Sequence, residues 1–184
     1  MSLDIVKNSV LVKKHGIMKM EKLYYKLWAF LKQKLSVYEG RMWSWAGDGG
    51  IMAFAFKDHI NRAVLCAVEI QSTVPVFNLA NHSHLEEDIA LRIGLDTGKI
   101  KFFSITGQIV SEVINYAAHL EKKGTKPGQI SISRKLRDSI HPRMFDIFKP
   151  SGVFEDRDYF STYKRLDSLP VGDKSRVSAK KRLA

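Results

Sequence analysis

The 184-residue sequence predicts an α+β domain: a largely antiparallel sheet with helices packed on it. Three observations carry this. Helix-length apolar periodicities alternate with pairs of short strand-like runs. The alternation lacks the regular βαβ rhythm of a doubly wound sheet. No internal repeat is present.

The elements follow in order. Ile17, Met20, Leu23, Tyr24, Leu27, Leu31 and Leu35 recur at three- and four-residue spacing, an amphipathic helix between Gly16 and Gly40. Arg41 to Ala46 and Ile51 to Phe56 are short, aromatic-rich runs around Gly47-Asp48-Gly49-Gly50, which predicts a hairpin. Asp58 is placed to cap a helix with apolar positions Ile60, Val64, Ala67, Ile70 and Val74, and the polar stretch Asn78 to Asp88 reads as a loop. Ile89, Leu91, Ile93 and Leu95 alternate like a half-buried strand, Asp96-Thr97-Gly98 turns the chain, and Lys99 to Ile105 returns. Val110, Val113, Ile114, Ala117 and Leu120 mark a core-facing helix that stops near Gly124. A strand from Gln129 to Ile132 follows, with Ser133 capping a short helix from Arg134 to Ile140. Two strands around Ser151-Gly152 fill Phe145 to Leu166. A ferredoxin-like sheet is one member of this class.

The net charge of +11 is carried by the two ends. Residues 1–36 are net +6 and residues 164–184 net +5, so the middle is close to neutral. The first block reads as a solvated helix face. Residues 1–166 are expected to form the folded domain and 167–184 a basic, disordered tail. No aromatic–basic motif accompanies the charge, so no specific nucleic-acid partner is expected. The single cysteine, Cys66, excludes an internal disulfide and lies in an apolar run, which makes it core filler in a reducing compartment. No apolar run is read as a membrane span, and no signal peptide is apparent. His59, His82, His84 and His141 lack metal-ligand spacing. Trp28, Trp43 and Trp45 sit in apolar patterns as core or dimer contacts.

Four stretches in order carry a family resemblance. These are the hairpin within Val37 to Phe56, Leu91-Arg-Ile-Gly-Leu-Asp-Thr-Gly98, Val113-Ile-Asn-Tyr-Ala-Ala-His-Leu-Glu121, and Lys126-Pro-Gly-Gln-Ile-Ser-Ile-Ser133. Together they resemble the class III nucleotide cyclases, the adenylate and guanylate cyclase catalytic domains. The resemblance covers about residues 4–165. It implies the cyclase fold, a purine nucleoside triphosphate (ATP or GTP) as ligand, and two Mg²⁺ or Mn²⁺ ions. It also implies a head-to-tail homodimer whose sites draw on both protomers. Asp48, in the hairpin, and Asp4, in Asp4-Ile5-Val6, match the family's metal-holding aspartates; hard divalent ions favour carboxylate oxygen. Asn115 matches the ribose-holding asparagine. His119, on the same helix face, takes the place of an arginine that stabilises phosphate charge.

The sequence departs from the family at several positions. Ser44 and Gln108 stand where the base-reading residues are expected and fit neither the adenine nor the guanine pattern. His119 lacks arginine's fixed fork and permanent charge. The family's phosphate-binding lysine is absent near the end, where Gly152-Val-Phe-Glu-Asp-Arg157 stands with Arg157 as a candidate substitute. Two readings therefore stay open: an active cyclase in intracellular signalling, or a degenerate cyclase-homology domain serving as a nucleotide-binding or dimerisation module. Either would be cytoplasmic, alone or within a longer sensor-linked or membrane-tethered protein. A diguanylate cyclase is disfavoured, since Ala46 to Gly50 lacks the Gly-Gly-Asp/Glu-Glu-Phe signature.

Overall fold

A computed structural model describes residues 1–103 and 108–168, the side chains of 101–103 and 108–110 excepted. The part of the expected basic tail from residue 169 onward therefore lies outside the described residues.

The chain opens with β1 (Ser2–Ile5), α1 (Asn8–His15) and α2 (Ile17–Val37). The hairpin β2 (Arg41–Trp45) and β3 (Gly49–Ala53) follows, then α3 (His59–Leu85) and β4 (Leu91–Leu95). A small hairpin, β5 (Lys101–Phe103) and β6 (Gln108–Val110), precedes α4 (Glu112–His119) and a π-helical turn, Leu120–Gly124. The last elements are β7 (Ile130–Ser133), α5 (Arg134–Arg137), a 3₁₀ turn (Pro142–Ile147), β8 (Phe148–Phe154) and β9 (Arg157–Thr162).

Seven strands form one sheet in the order β2-β3-β1-β4-β7-β9-β8, with β5 and β6 paired apart from it. Among the described residues every pairing is antiparallel except β4 with β7. The expected α+β class with a largely antiparallel sheet is what the chain adopts.

Strand alternation sorts side chains to two layers. Leu91, Ile93 and Leu95 of β4 join Leu3, Ile5, Ile130 and Ile132 in the core beneath α2 and α3. Met20, Leu23, Leu27, Leu31 and Leu35 of α2 are all buried there, each contributing roughly 2 kcal/mol by leaving water. The other side of β4 carries Arg92 and Gly94. A Cβ on Gly94 would collide with the Ala117 carbonyl and the Glu121 backbone, so this glycine lets α4 and its π turn lie against the sheet.

The structure revises several expected boundaries. The stretch from Asn78 is not a loop; α3 runs on to Leu85. Buried Asn78 clamps the incoming chain, its Nδ2 donating to the Ile89 carbonyl (2.9 Å) and its Oδ1 accepting from the Ile89 N–H (3.1 Å). The resulting 27-residue helix is long and apolar enough to cross a membrane by length and composition, contrary to the sequence reading. Its Val64, Cys66, Ala67 and Ile70 are nevertheless fully buried against the sheet, the placement of a core helix. Asp58 does sit at the start of α3, but in a left-handed conformation without a side-chain cap; its carboxylate accepts from Asn61 Nδ2 instead (2.6 Å). Ser133 caps α5 as expected, accepting from the Leu136 N–H (3.1 Å), though that helix ends at Arg137. The final hairpin turns at Glu155-Asp156, both at positive φ, while Ser151-Gly152 lies at a bulge in β8. Helix α1 was not anticipated. Cys66 is fully buried, and burial pushes its thiol up to about 12, which fits a packing role.

Candidate functional site

Two of the sequence-predicted residues meet at the end of β1. Asp4 pairs across the sheet with Gly49 on one side and Arg92 on the other. The β2–β3 turn is closed by Ala46 N–H donating to the Gly49 carbonyl (2.8 Å) and Asp48 N–H to the Ala46 carbonyl (3.1 Å). Gly47 supplies the positive φ this turn needs. The Ile5 N–H then donates to the Asp48 carbonyl (3.1 Å), tying the turn to the end of β1. Gly49 permits the approach. A Cβ there would sit 2.5 Å from the Leu3 carbonyl oxygen and 2.9 Å from Asp4 Oδ1.

The electrostatics follow from that geometry. Burial holds the Asp4 carboxyl above its usual range, the Asp48 charge adds to the rise, and Arg92 opposes it. Arg92 Nη2 donates to Asp4 Oδ2 (2.9 Å), and Nη1 to the Lys122 carbonyl (3.2 Å). Its Nε lies 3.0 Å from Glu121 Oε1 without the alignment of a hydrogen bond, so this contact is an ion pair alone. Burial pushes Glu121 up to about 7, with Arg92 pulling against it. Sequence reasoning passed over Arg92 and Glu121. The signal available was Arg92's place on the side of β4 opposite the apolar alternation.

A divalent cation fits the Asp4–Asp48 pair. The two carboxylates repel each other, and a 2+ ion would relieve that repulsion. Asp4 keeps Oδ1 clear of Arg92. No third acidic, histidine or cysteine ligand joins them among the described residues. Mg²⁺ is commonly held in this way, by one or two carboxylates with phosphates and waters completing the shell.

The other predicted residues stand elsewhere. Asn115 and His119 are exposed on α4, a helix capped by Ser111 Oγ accepting from the Ile114 N–H (3.3 Å). His119 Nδ1 lies 2.8 Å from Glu155 Oε1, on the turn between β8 and β9, and contacts neither Asp4 nor Asp48. Arg157 pairs with Glu112 and lies over the Tyr116 ring, 4.8 Å from its centroid. Ser44 is exposed on β2. The side chain of Gln108 lies outside the described residues. Of the tryptophans, Trp45 packs against the core, Trp43 is 44% exposed, and Trp28 stacks with Tyr25 and lies under Lys32.

Beside α4 lies a mainly apolar cavity of about 260 Å³, walled by Trp43, Phe54, Leu95, Val113 and Ile114, with Asp96 at its edge. Asp96 Oδ1 accepts from the Thr97 N–H (2.8 Å) and from Ser133 Oγ (2.5 Å).

No family model and no curated protein matches the sequence. Solved structures match the fold over most of its length. The catalytic core of a rhodopsin-guanylyl cyclase with converted specificity, in complex with ATPαS, superposes with a TM-score of 0.75 at 20% identity, covering 89% of this chain and 93% of that one. The guanylate cyclase domain of RhGC from Catenaria anguillulae, in complex with GTP, gives 0.73 at 20% identity over 89% and 94%. The adenylyl cyclase CyaB from P. aeruginosa gives 0.72 at 16% identity over 92% and 94%.

The chain has the class III nucleotide cyclase fold. Within that fold, Asn115 and His119 are exposed on α4, and His119 turns to Glu155 rather than to Asp4 or Asp48.

Proposed function

We propose that this cyclase-fold domain binds a purine nucleoside triphosphate with Mg²⁺ or Mn²⁺ and converts it to a 3′,5′-cyclic nucleotide and pyrophosphate. The observation that carries the reading is the juxtaposition of Asp4 and Asp48, tied together through the Ile5–Asp48 backbone bond and the Gly49 approach. Asp4 and Asp48 hold the metal, which when bound supplies charge neutralisation for the triphosphate and acidifies the ribose 3′-hydroxyl. Asn115 of the partner protomer orients the ribose. The 3′-oxygen bonds to the α-phosphorus, the bond from that phosphorus to the pyrophosphate oxygen breaks, and the hydroxyl proton leaves to solvent. His119 donates a hydrogen bond to the charge that develops. That His119 turns to Glu155 and not to the Asp4–Asp48 pair supports a head-to-tail homodimer, and we place the domain in cytoplasmic signalling.

A specific observation favours a second reading, a degenerate module that binds nucleotide without turning it over. Glu155 pairs with His119, in the stretch where the family carries a phosphate-binding lysine. An acid there repels a triphosphate, and losing one transition-state donor costs about a hundred- to a thousandfold in rate. The test is turnover of ATP and GTP, each with Mg²⁺ and Mn²⁺, at high protein concentration. Cyclic product that disappears in Asp48→Ala establishes the enzyme. Metal-dependent nucleotide binding without product, in a demonstrated dimer, establishes the module.

A further inference from the structure

We propose that the cavity beside α4 takes the purine base and that Asp96 selects guanine over adenine. This rests on the nucleotide reading above and adds the identity of the base. At about 260 Å³ the cavity suits a fused heterocycle rather than a whole nucleotide, and its walls are mainly apolar, as a stacking surface requires. Val113, Ile114 and Ala117 of α4 line it, and Asn115 is carried on the same helix. Ser44, the base reader expected from the sequence, is not on its wall, whereas Asp96 is.

The Asp96 carboxylate is fixed in orientation. Its Oδ1 is taken by the Thr97 N–H and the Ser133 hydroxyl. Oδ2 is the oxygen left to read a base. Guanine offers a carboxylate two adjacent donors, N1–H and the 2-amino group. Adenine offers one amino group beside N1, whose lone pair would face the same negative oxygen. A site that presents a fixed acceptor discriminates against a ligand that lacks the matching donor; Asp96 is half-buried.

The experiment is calorimetric titration of the full chain, with Mg²⁺ present, using GTP, ATP and N1-methyl-GTP. GTP is expected to bind at least about tenfold more tightly than ATP, with N1-methyl-GTP falling to the ATP level. Asp96→Asn should shrink the GTP advantage to within about threefold without weakening ATP, and Ala117→Phe, which fills the cavity, should abolish both. Equal affinity of the wild type for GTP and ATP overturns base selection and leaves the proposed function standing. A GTP preference that survives in Asp96→Asn, or that N1-methylation leaves intact, assigns selection to another residue and overturns the proposal. Should Asp96→Asn fail to fold, the N1-methyl-GTP result on the wild type decides alone. Binding of neither nucleotide overturns both readings.

Discussion

Two carboxylates share Arg92 and differ in what they gain from it. Asp4 receives an aligned hydrogen bond and is half-buried. Glu121 is buried, receives charge without alignment, and its carboxyl is pushed up to about 7 from an ordinary value of 4.5. The folded state therefore holds a proton that the unfolded chain has already released. Stability tied to Glu121 is fully present below about pH 4.5 and is lost as pH rises towards 7. Glu121→Gln should flatten this dependence. Denaturant unfolding from pH 4.5 to 8 would show wild type losing on the order of 2 kcal/mol relative to the variant across that window. A constant difference between the two would contradict this account. Neither residue was legible as a partner in the sequence, because their meeting depends on Gly94 letting the π turn against β4, a contact 29 positions apart in the chain. Asp48, by contrast, was legible because its turn is local and its glycines punctuate it.

Among the elements, α3 shows where local reading gives way to tertiary packing. Asn78, Asn81, His82 and Ser83 weigh against helix by propensity, and a loop was the natural expectation. The helix continues because Asn78 satisfies both backbone groups of Ile89 and anchors the entry to β4. Asn78→Ala would leave a buried N–H and C=O without partners, at a cost of about 2 kcal/mol. A chevron or urea midpoint unchanged by the substitution would count against the clamp. The Ser133 cap was readable for the opposite reason: its bond closes within three residues, to the Leu136 N–H. Turn position in the last hairpin misled, since Gly152 marks a bulge and two non-glycine residues, Glu155 and Asp156, take the left-handed turn.

For the whole molecule, the fold class was legible because four ordered motifs and the strand–helix alternation agree over most of the chain. How a site assembles was not, since His119 turns to Glu155 and not to Asp4 or Asp48. The proposed head-to-tail dimer makes a prediction about mixing. If turnover is observed, Asp48→Ala and Asn115→Ala should each be inactive alone. Mixed in equal amounts, they should recover about a quarter of wild-type rate, since half the dimers are mixed and each carries one intact site. Co-purification of differently tagged chains would confirm the mixed dimer, and zero recovery with exchange demonstrated would exclude a shared site.

Among the described residues the one parallel pairing, β4 with β7, is a seam in the chain order as well as in the sheet. Asp4 and Asp48 are encoded before it, Glu155 after it, and His119 on the crossover between. Substitution at His119 or Glu155 therefore leaves the backbone tie between Asp48 and the end of β1, which lies wholly before the seam, in place.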